Sequence, residues 1–116
     1  MSHWTDGTYT VQFRGPQDWG AGVVTLKDLQ LTGGDSGYIF TGAFREVGPR
    51  LVGTVHVGQH VDGYPSIFGP SVGKAFDILL DGRFDGDVGH LHGHVRGQDH
   101  FRIQVRLTRV KPLAAE

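Results

Sequence analysis

FRIQVRLT, at residues 101–108, alternates strictly between apolar and polar side chains. Successive side chains of a β-strand point to opposite faces of the sheet, so this period of two predicts a strand with one buried and one exposed face. The same alternation occurs in TYTVQF at residues 8–13 and in LVGTVHV at residues 51–57. No stretch of helical length carries the apolar spacing of an amphipathic helix. The sequence therefore predicts an all-β fold.

Turn-forming residues divide the chain into about eight such segments. The expected strands cover residues 6–14, 20–27, 29–32, 37–46, 50–59, 73–81, 86–95 and 100–109. The expected turns between them include residues 15–18, 32–37, 47–49, 62–65, 81–82, 85–86 and 97–99. Short strands separated by glycine, aspartate and proline in this way are typical of an antiparallel meander.

A closed barrel is favoured over a two-layer sandwich. An open meander has two unpaired edges, which promote aggregation, and closing the sheet removes both. Gly42 and Gly53 fall between large apolar residues on the predicted inward face, as glycines do at the bends of barrel strands. We therefore expect a single domain, residues 1–116, folded as a small antiparallel up-and-down barrel of about eight strands.

The composition excludes several classes of function. Nineteen of the 116 residues are glycine and none is cysteine. Without cysteine the chain has no disulfide framework, no iron–sulfur cluster, no thiol nucleophile and no cysteine-bound zinc. The formal net charge of −1 gives no general electrostatic attraction to nucleic acid or to an anionic membrane. Since the sequence also shows no targeting segment, we expect a cytoplasmic protein.

The predicted inward face is aromatic and aliphatic. Eight strands form a barrel that is either filled by its own side chains or just wide enough for one small ligand, and both alternatives stay open. The aromatic residues expected to line a ligand cavity are Tyr9, Phe13, Tyr38, Phe40, Phe44, Phe76 and Phe101. The proline-containing segment 61–72 is interpreted either as a flap over one barrel mouth or as a loop that packs on the barrel end.

Three alternate histidines form the most suggestive local pattern. His90, His92 and His94 would project side by side from one face of a strand, a spacing that zinc sites on β-sheets use. The neighbouring Leu91 and Val95 are predicted to face inward, which places the three imidazoles outside. Arginines of the following strand would share that side and disfavour a bound cation. We therefore expect a polar outer face, with a metal site as the weaker alternative.

Basic residues are concentrated in the last third of the chain. They are Arg96, Arg102, Arg106, Arg109 and Lys111. On the outer face of a strand they could bind phosphates or an acidic protein segment, or simply be solvated. An aromatic stacking platform beside them would favour nucleic-acid binding, and the predicted outward positions contain none.

No catalytic constellation is evident from the residue spacing. GDSG at residues 34–37 matches the nucleophile string of trypsin-like serine proteases, but the chain is too short for their two barrels. A tight turn between strands explains the same glycines and aspartate. We expect a protein that is not an enzyme and that carries no cofactor.

Several short motifs follow one another in order along most of the chain. They are Asp6-Gly7-x-Tyr9, Gly20-Ala21-Gly22-Val23, Thr32-Gly33-Gly34-Asp35, Tyr38-x-x-Thr41-Gly42, Leu91-His92-Gly93-His94-Val95-Arg96-Gly97, Phe101 and Lys111-Pro112-Leu113. In this order the chain resembles the GrlR-like family, named after a negative regulator of type III secretion. The resemblance implies a cytoplasmic, homodimeric, lipocalin-like β-barrel with an apolar interior. Trp4 and Trp19 are candidate interface anchors, because indoles favour protein contacts.

The family's founding member holds a transcriptional activator off its promoter through an acidic run, Glu-Asp-Glu-Asp, on one loop. The corresponding residues here are Arg45-Glu46-Val47-Gly48, of which only Glu46 is acidic. By resemblance, Arg45 and Glu46 are the candidate partner-binding residues, and the expected function is negative regulation by sequestering an activator protein. The alternative is a carrier or sensor of a small apolar ligand bound inside the barrel. We expect neither function to involve direct contact with nucleic acid or a membrane.

Overall fold

Eight antiparallel strands pair in sequence order and close on themselves. The computed structural model describes residues 5–15, 19–60 and 75–110. The strands are Gly7–Arg14 (β1), Trp19–Lys27 (β2), Gln30–Gly34 (β3), Tyr38–Val47 (β4), Arg50–Gln59 (β5), Ala75–Asp85 (β6), Val88–Val95 (β7) and Gln98–Arg109 (β8). The prediction of an all-β, closed up-and-down barrel is confirmed. Across the described residues, no helix is long and apolar enough to cross a membrane.

Strand β1 closes the barrel by pairing with β2 on one side and with β8 on the other. Within the described sheet every strand therefore has two neighbours, and no strand is left as an edge. The β2–β3, β4–β5 and β6–β7 turns lie at the same end as residues 5–6, which we name the N-terminal end. The β3–β4 and β7–β8 turns lie at the other end, which we name the distal end.

The predicted alternation separates the two faces of the barrel wall. Each apolar residue predicted to point inward belongs to the buried core or packs against it. Tyr9 and Leu26 are among the most deeply buried. The structure adds Leu29, Leu31 and Phe84 to this set, which the sequence pattern left unassigned. Burying one such side chain contributes about 1.5–3 kcal/mol, so the inward face is the main source of stability.

The turn predicted at residues 81–82 is wrong. Strand β6 continues to Asp85, and Gly82 pairs with Leu91 of β7. A side chain at Gly82 would overlap the backbone of β7, so this glycine allows two strands to approach closely and does not form a turn. The chain reverses instead at Gly86, whose φ of 63° lies in the left-handed region.

The β2–β3 turn places two residues other than glycine in the left-handed region. Asp28 and Leu29 have φ values of 51° and 66°, which is uncommon for a residue such as leucine. The backbone N–H of Asp28 donates to Asp6 Oδ1 at 2.9 Å, the carbonyl oxygen of Leu29 accepts from the backbone N–H of Phe44 at 2.8 Å, and Leu29 packs against the core. Strand β3 then extends to Gly34, so the turn predicted over residues 32–37 is confined to residues 35–37.

Arg109 links β8 to three other parts of the chain at the N-terminal end. Its Nε donates to Asp87 Oδ1 at 2.9 Å, and its Nη1 donates to the carbonyl oxygen of Asp6. The guanidinium lies 5.1 Å from the centroid of the Tyr9 ring. Tyr9 is buried, and its hydroxyl donates to the carbonyl oxygen of Thr5 at 2.7 Å. These contacts fasten the first and last strands where the barrel closes.

Candidate functional site

A cavity of about 260 Å³, partly open to solvent, extends into the barrel from the distal end. The predicted aromatic residues found in its wall are Phe13, Tyr38, Phe40, Phe44 and Phe76. Aliphatic side chains from β5 to β8 complete the wall, among them Val57, Ile78 and Leu107. The cavity is thus enclosed mainly by apolar surface, as small-ligand sites usually are.

Tyr9 and Phe101, the other two predicted cavity residues, lie outside the cavity wall. Tyr9 is at the N-terminal end, where its ring packs edge to face against Phe84 with 5.6 Å between centroids. Phe101 packs at the margin of the core, and its ring centroid is 4.2 Å from that of His100. The period of two assigns a residue to a face but not to a height along the barrel axis. The inward face was therefore predictable, and the position of these two rings was not.

The packing of Phe13 explains part of the cavity's shape. Its ring meets that of Phe40 edge to face, with centroids 5.8 Å apart. On the other side it lies over Gly20 of β2, its cross-strand partner, at the place where a side chain of residue 20 would be. Strand β2 thus contributes backbone here, and the Phe13 ring fills the space that a side chain at residue 20 would take.

The β3–β4 turn supplies the polar part of the cavity wall. Asp35 Oδ1 accepts hydrogen bonds from the backbone N–H groups of Gly37 and Tyr38, at 2.9 and 2.8 Å. His60 donates its backbone N–H to the carbonyl oxygen of Gly37 at 2.9 Å, and its ring Nε2 lies 3.2 Å from the carbonyl oxygen of Asp35. Most of the GDSG string is therefore a turn whose aspartate binds the turn's own backbone. Ser36, which is exposed, lies in the same turn.

Tyr38 provides a neutral hydroxyl in the cavity wall. Burial, and secondarily the nearby Asp35 carboxylate, raises the pKa of this tyrosine above its ordinary value. The hydroxyl therefore stays protonated at neutral pH. Among the described residues that line the cavity, Asp35 is the only one with a charged side chain.

The three alternate histidines point away from the cavity, as predicted. His90 lies in register between Arg83 of β6 and Arg106 of β8, and His92 is likewise exposed on the outer face. His94 Nε2 lies 3.4 Å from the carboxylate of Asp99. Within residues 5–15, 19–60 and 75–110, no three histidine or acidic side chains are placed to hold one metal ion.

The candidate partner-binding residues lie at the N-terminal end, far along β4 from the polar turn. Arg45 and Glu46 are both exposed, next to the β4–β5 turn. Trp19 is 67% exposed at the start of β2. Trp4, a candidate interface anchor, and the segment 61–72, interpreted as a flap or a packed loop, lie outside the described residues.

The sequence pattern did not identify the turn at residues 35–37 or Trp19 as parts of the cavity wall. Both lie in turns or at the ends of strands, where the alternation of apolar and polar residues does not assign a face. The order of the strands in the barrel could have predicted their position. In an up-and-down barrel every second connection lies at the same end, so the end of β1, the start of β2 and the β3–β4 turn must converge.

Comparison with known protein families gives no match, and comparison with curated proteins gives no significant relative. The resemblance to the GrlR-like family therefore stays an expectation.

Proposed function

We propose that the barrel binds a small apolar molecule in its cavity and acts as a carrier or sensor without catalytic activity. The observation that carries this proposal is the cavity of about 260 Å³ with its aromatic and aliphatic wall. An engineered apolar cavity of about 150 Å³ stays dry and takes up benzene. A ligand that fills the present cavity buries its apolar surface against this wall, which contributes about 25 cal/mol per Å².

The wall also restricts the class of ligand. Phe13, Phe40 and Phe76 offer ring faces and edges, which favour a flat or aromatic molecule. The carboxylate of Asp35 disfavours an anionic head group at the polar turn, because like charges repel. The preferred ligand is a neutral molecule larger than one benzene ring.

Fluorescence titration with the neutral apolar dye N-phenyl-1-naphthylamine tests the proposal. Val57 lies in the cavity wall between its cross-strand neighbours Phe40 and Phe76, so Val57→Trp places an indole in the cavity. Val23→Trp makes the same change on the outer face, where Val23 is 52% exposed. Far-UV circular dichroism establishes that both variants fold.

We expect saturable binding of one dye molecule, weakened at least tenfold in Val57→Trp and unchanged in Val23→Trp (about 1.4 kcal/mol corresponds to tenfold). Absence of saturable binding, or equal loss in both variants, would contradict a cavity site. Mass spectrometry of organic extracts from protein purified from its native cell then identifies the natural ligand.

A second proposed function follows the family resemblance: a negative regulator that captures a transcriptional activator as a cytoplasmic homodimer. The exposure of Arg45 and Glu46 beside the β4–β5 turn supports this proposal. Pull-down from native cells with Glu46→Lys tests the contact. Asp85→Lys, an exposed site at the same end of the barrel, is the matched control. Equal partner recovery with both variants would argue against this contact, and a monomer in sedimentation velocity would argue against the dimer.

A further inference from the structure

A band of positive charge crosses the outer face of β6, β7, β8 and β1. Its four exposed arginines, which we name the basic face, are Arg14, Arg83, Arg102 and Arg106. Among residues 5–15, 19–60 and 75–110, none of the four has an ion-pair partner. Their guanidinium groups are therefore available to a binding partner.

One carboxylate beside the basic face is already paired with an arginine outside it. Asp81, the cross-strand neighbour of His92, lies 3.5 Å from Arg50. Asp99 lies 3.4 Å from His94, a contact that is an ion pair only when the imidazole is protonated. With four arginines and with Asp81 paired to Arg50, the basic face carries local positive charge although the whole chain carries a net charge of −1.

The strand register brings three of the arginines close together. Arg106 lies beside His90, and His90 lies beside Arg83. Arg14 is paired with Gln104, two residues from Arg106 on β8. With strands about 4.8 Å apart and a rise of about 3.3 Å per residue, Arg106 is roughly 8–10 Å from each of the other two. That distance is comparable to the Debye length of about 10 Å, so their fields add at the surface.

An exposed aromatic side chain borders the same surface. Trp19 is the cross-strand partner of Arg14 and is 67% exposed. An open depression here is lined by Trp19, Arg14, Arg106, Gln104, His90 and His92, together with the inward-facing Phe13, Leu91 and Val105. Tryptophan and arginine are the side chains most enriched among the residues that dominate protein–protein binding energy. The structure thus places Trp19, which also lines the cavity, beside the basic face, a position that the sequence pattern did not reveal.

We propose that the basic face binds an acidic segment of a partner protein that carries an apolar residue for Trp19. Guanidinium groups form paired hydrogen bonds with carboxylates, and the three clustered arginines can engage three acidic side chains. The site is short, because Asp81 and Asp85 on β6 bound it on one side. A near-neutral chain with one exposed indole at this surface fits a short acidic peptide better than a long nucleic acid, which needs an extended positive field and several stacking rings. This proposal goes beyond the cavity function and does not depend on it.

Fluorescence anisotropy with a labelled peptide, Asp-Glu-Leu-Asp-Glu-Leu-Asp-Glu, tests this proposal at low and high salt. The test variant is Arg14→Glu/Arg106→Glu. The matched control is Lys27→Glu/Thr32→Glu/Ala43→Glu, which makes the same change in net charge at three exposed positions on β2, β3 and β4, away from the basic face. We expect binding that weakens at high salt, falls at least tenfold in the test variant and stays within twofold in the control. Trp19→Ala should lose about fivefold at both salt concentrations.

Three results would overturn the proposal. One is that the acidic peptide does not bind. Another is an equal loss of peptide affinity in the test and control variants, which would indicate non-specific electrostatic attraction and no defined site. The third is tighter, Arg14- and Arg106-dependent binding of a labelled twelve-nucleotide oligothymidine, which would assign the basic face to single-stranded nucleic acid. Unchanged dye binding in the Arg14→Glu/Arg106→Glu variant shows that the barrel and its cavity are intact. A loss of peptide binding in this variant is then caused by the change in the basic face.

Discussion

Replacing Arg109 with methionine should destabilise the barrel by about 2–3 kcal/mol. The Arg109 side chain is only 22% exposed and donates to Asp87 and to the carbonyl oxygen of Asp6. Hydrogen bonds to charged groups contribute about 1.5–3 kcal/mol, and we take the lower part of that range because Asp87 is 42% exposed and screened by solvent. The contact with the Tyr9 ring at 5.1 Å adds about 0.5–1 kcal/mol. Methionine keeps part of the aliphatic packing of the arginine stem.

Urea unfolding followed by far-UV circular dichroism measures this loss. For a chain of this length it corresponds to a fall in Tm of roughly 8–12 °C. Arg106→Met is the matched control, because Arg106 lies on the same strand, is exposed and has no ion pair within the described residues. It should change the free energy of unfolding by at most about 0.5 kcal/mol. If the two variants differ by less than about 1 kcal/mol, Arg109 does not fasten the barrel in the way described.

Two further perturbations test the packing of the wall and the buried tyrosines. Gly93→Ala should lower the free energy of unfolding in urea by several kcal/mol, because its Cβ would overlap the carbonyl oxygen of Leu79. Gly58→Ala should be close to neutral, because a Cβ at residue 58 would have its nearest neighbour 3.9 Å away. Equal effects of the two substitutions would contradict the close approach of β6 and β7. Burial is the main reason that the pKa values of Tyr9 and Tyr38 are raised above 10, so the unfolded chain loses these protons first as the pH rises. The free energy of unfolding should therefore not depend on these two groups below about pH 10 and should fall above it. Tyr9→Phe should make the fall with pH shallower. A fall of unchanged slope would show that Tyr9 does not contribute to it.

The alternation in FRIQVRLT and its counterparts was sufficient to predict an all-β fold and its inward face, and the need to avoid unpaired sheet edges then predicted the closed barrel. A period of two is a strong signal because every second side chain must enter the same core. Gly82 was misassigned to a turn because Asp-Gly is also common in hairpin turns. Whether this glycine reverses the chain or allows β6 and β7 to approach depends on the ladder partner Leu91, which lies on another strand.

The pattern of a single strand does not predict which of its residues belong to the candidate sites. Phe13 and Phe101 satisfy the same inward pattern, yet only Phe13 lines the cavity, because height along the axis depends on strand register. Nothing in the sequence pattern predicts that Arg14 and Trp19 are neighbours. The β1–β2 ladder makes them neighbours, and the β1–β8 ladder adds Arg106. Both the cavity and the basic face are products of cross-strand pairing, which the alternation of single strands does not encode.

The central claim is that the interior of this barrel holds an apolar ligand, and intermolecular nuclear Overhauser effects test it most directly. With N-phenyl-1-naphthylamine bound, we expect contacts from the dye protons to the methyl groups of Val55, Ile78 and Leu107, which line the cavity. Val23 and Ile39, exposed at 52% and 51% on the outer face, should show none. Contacts to the outer methyl groups without contacts to the inner ones would place the dye on the surface and contradict the claim.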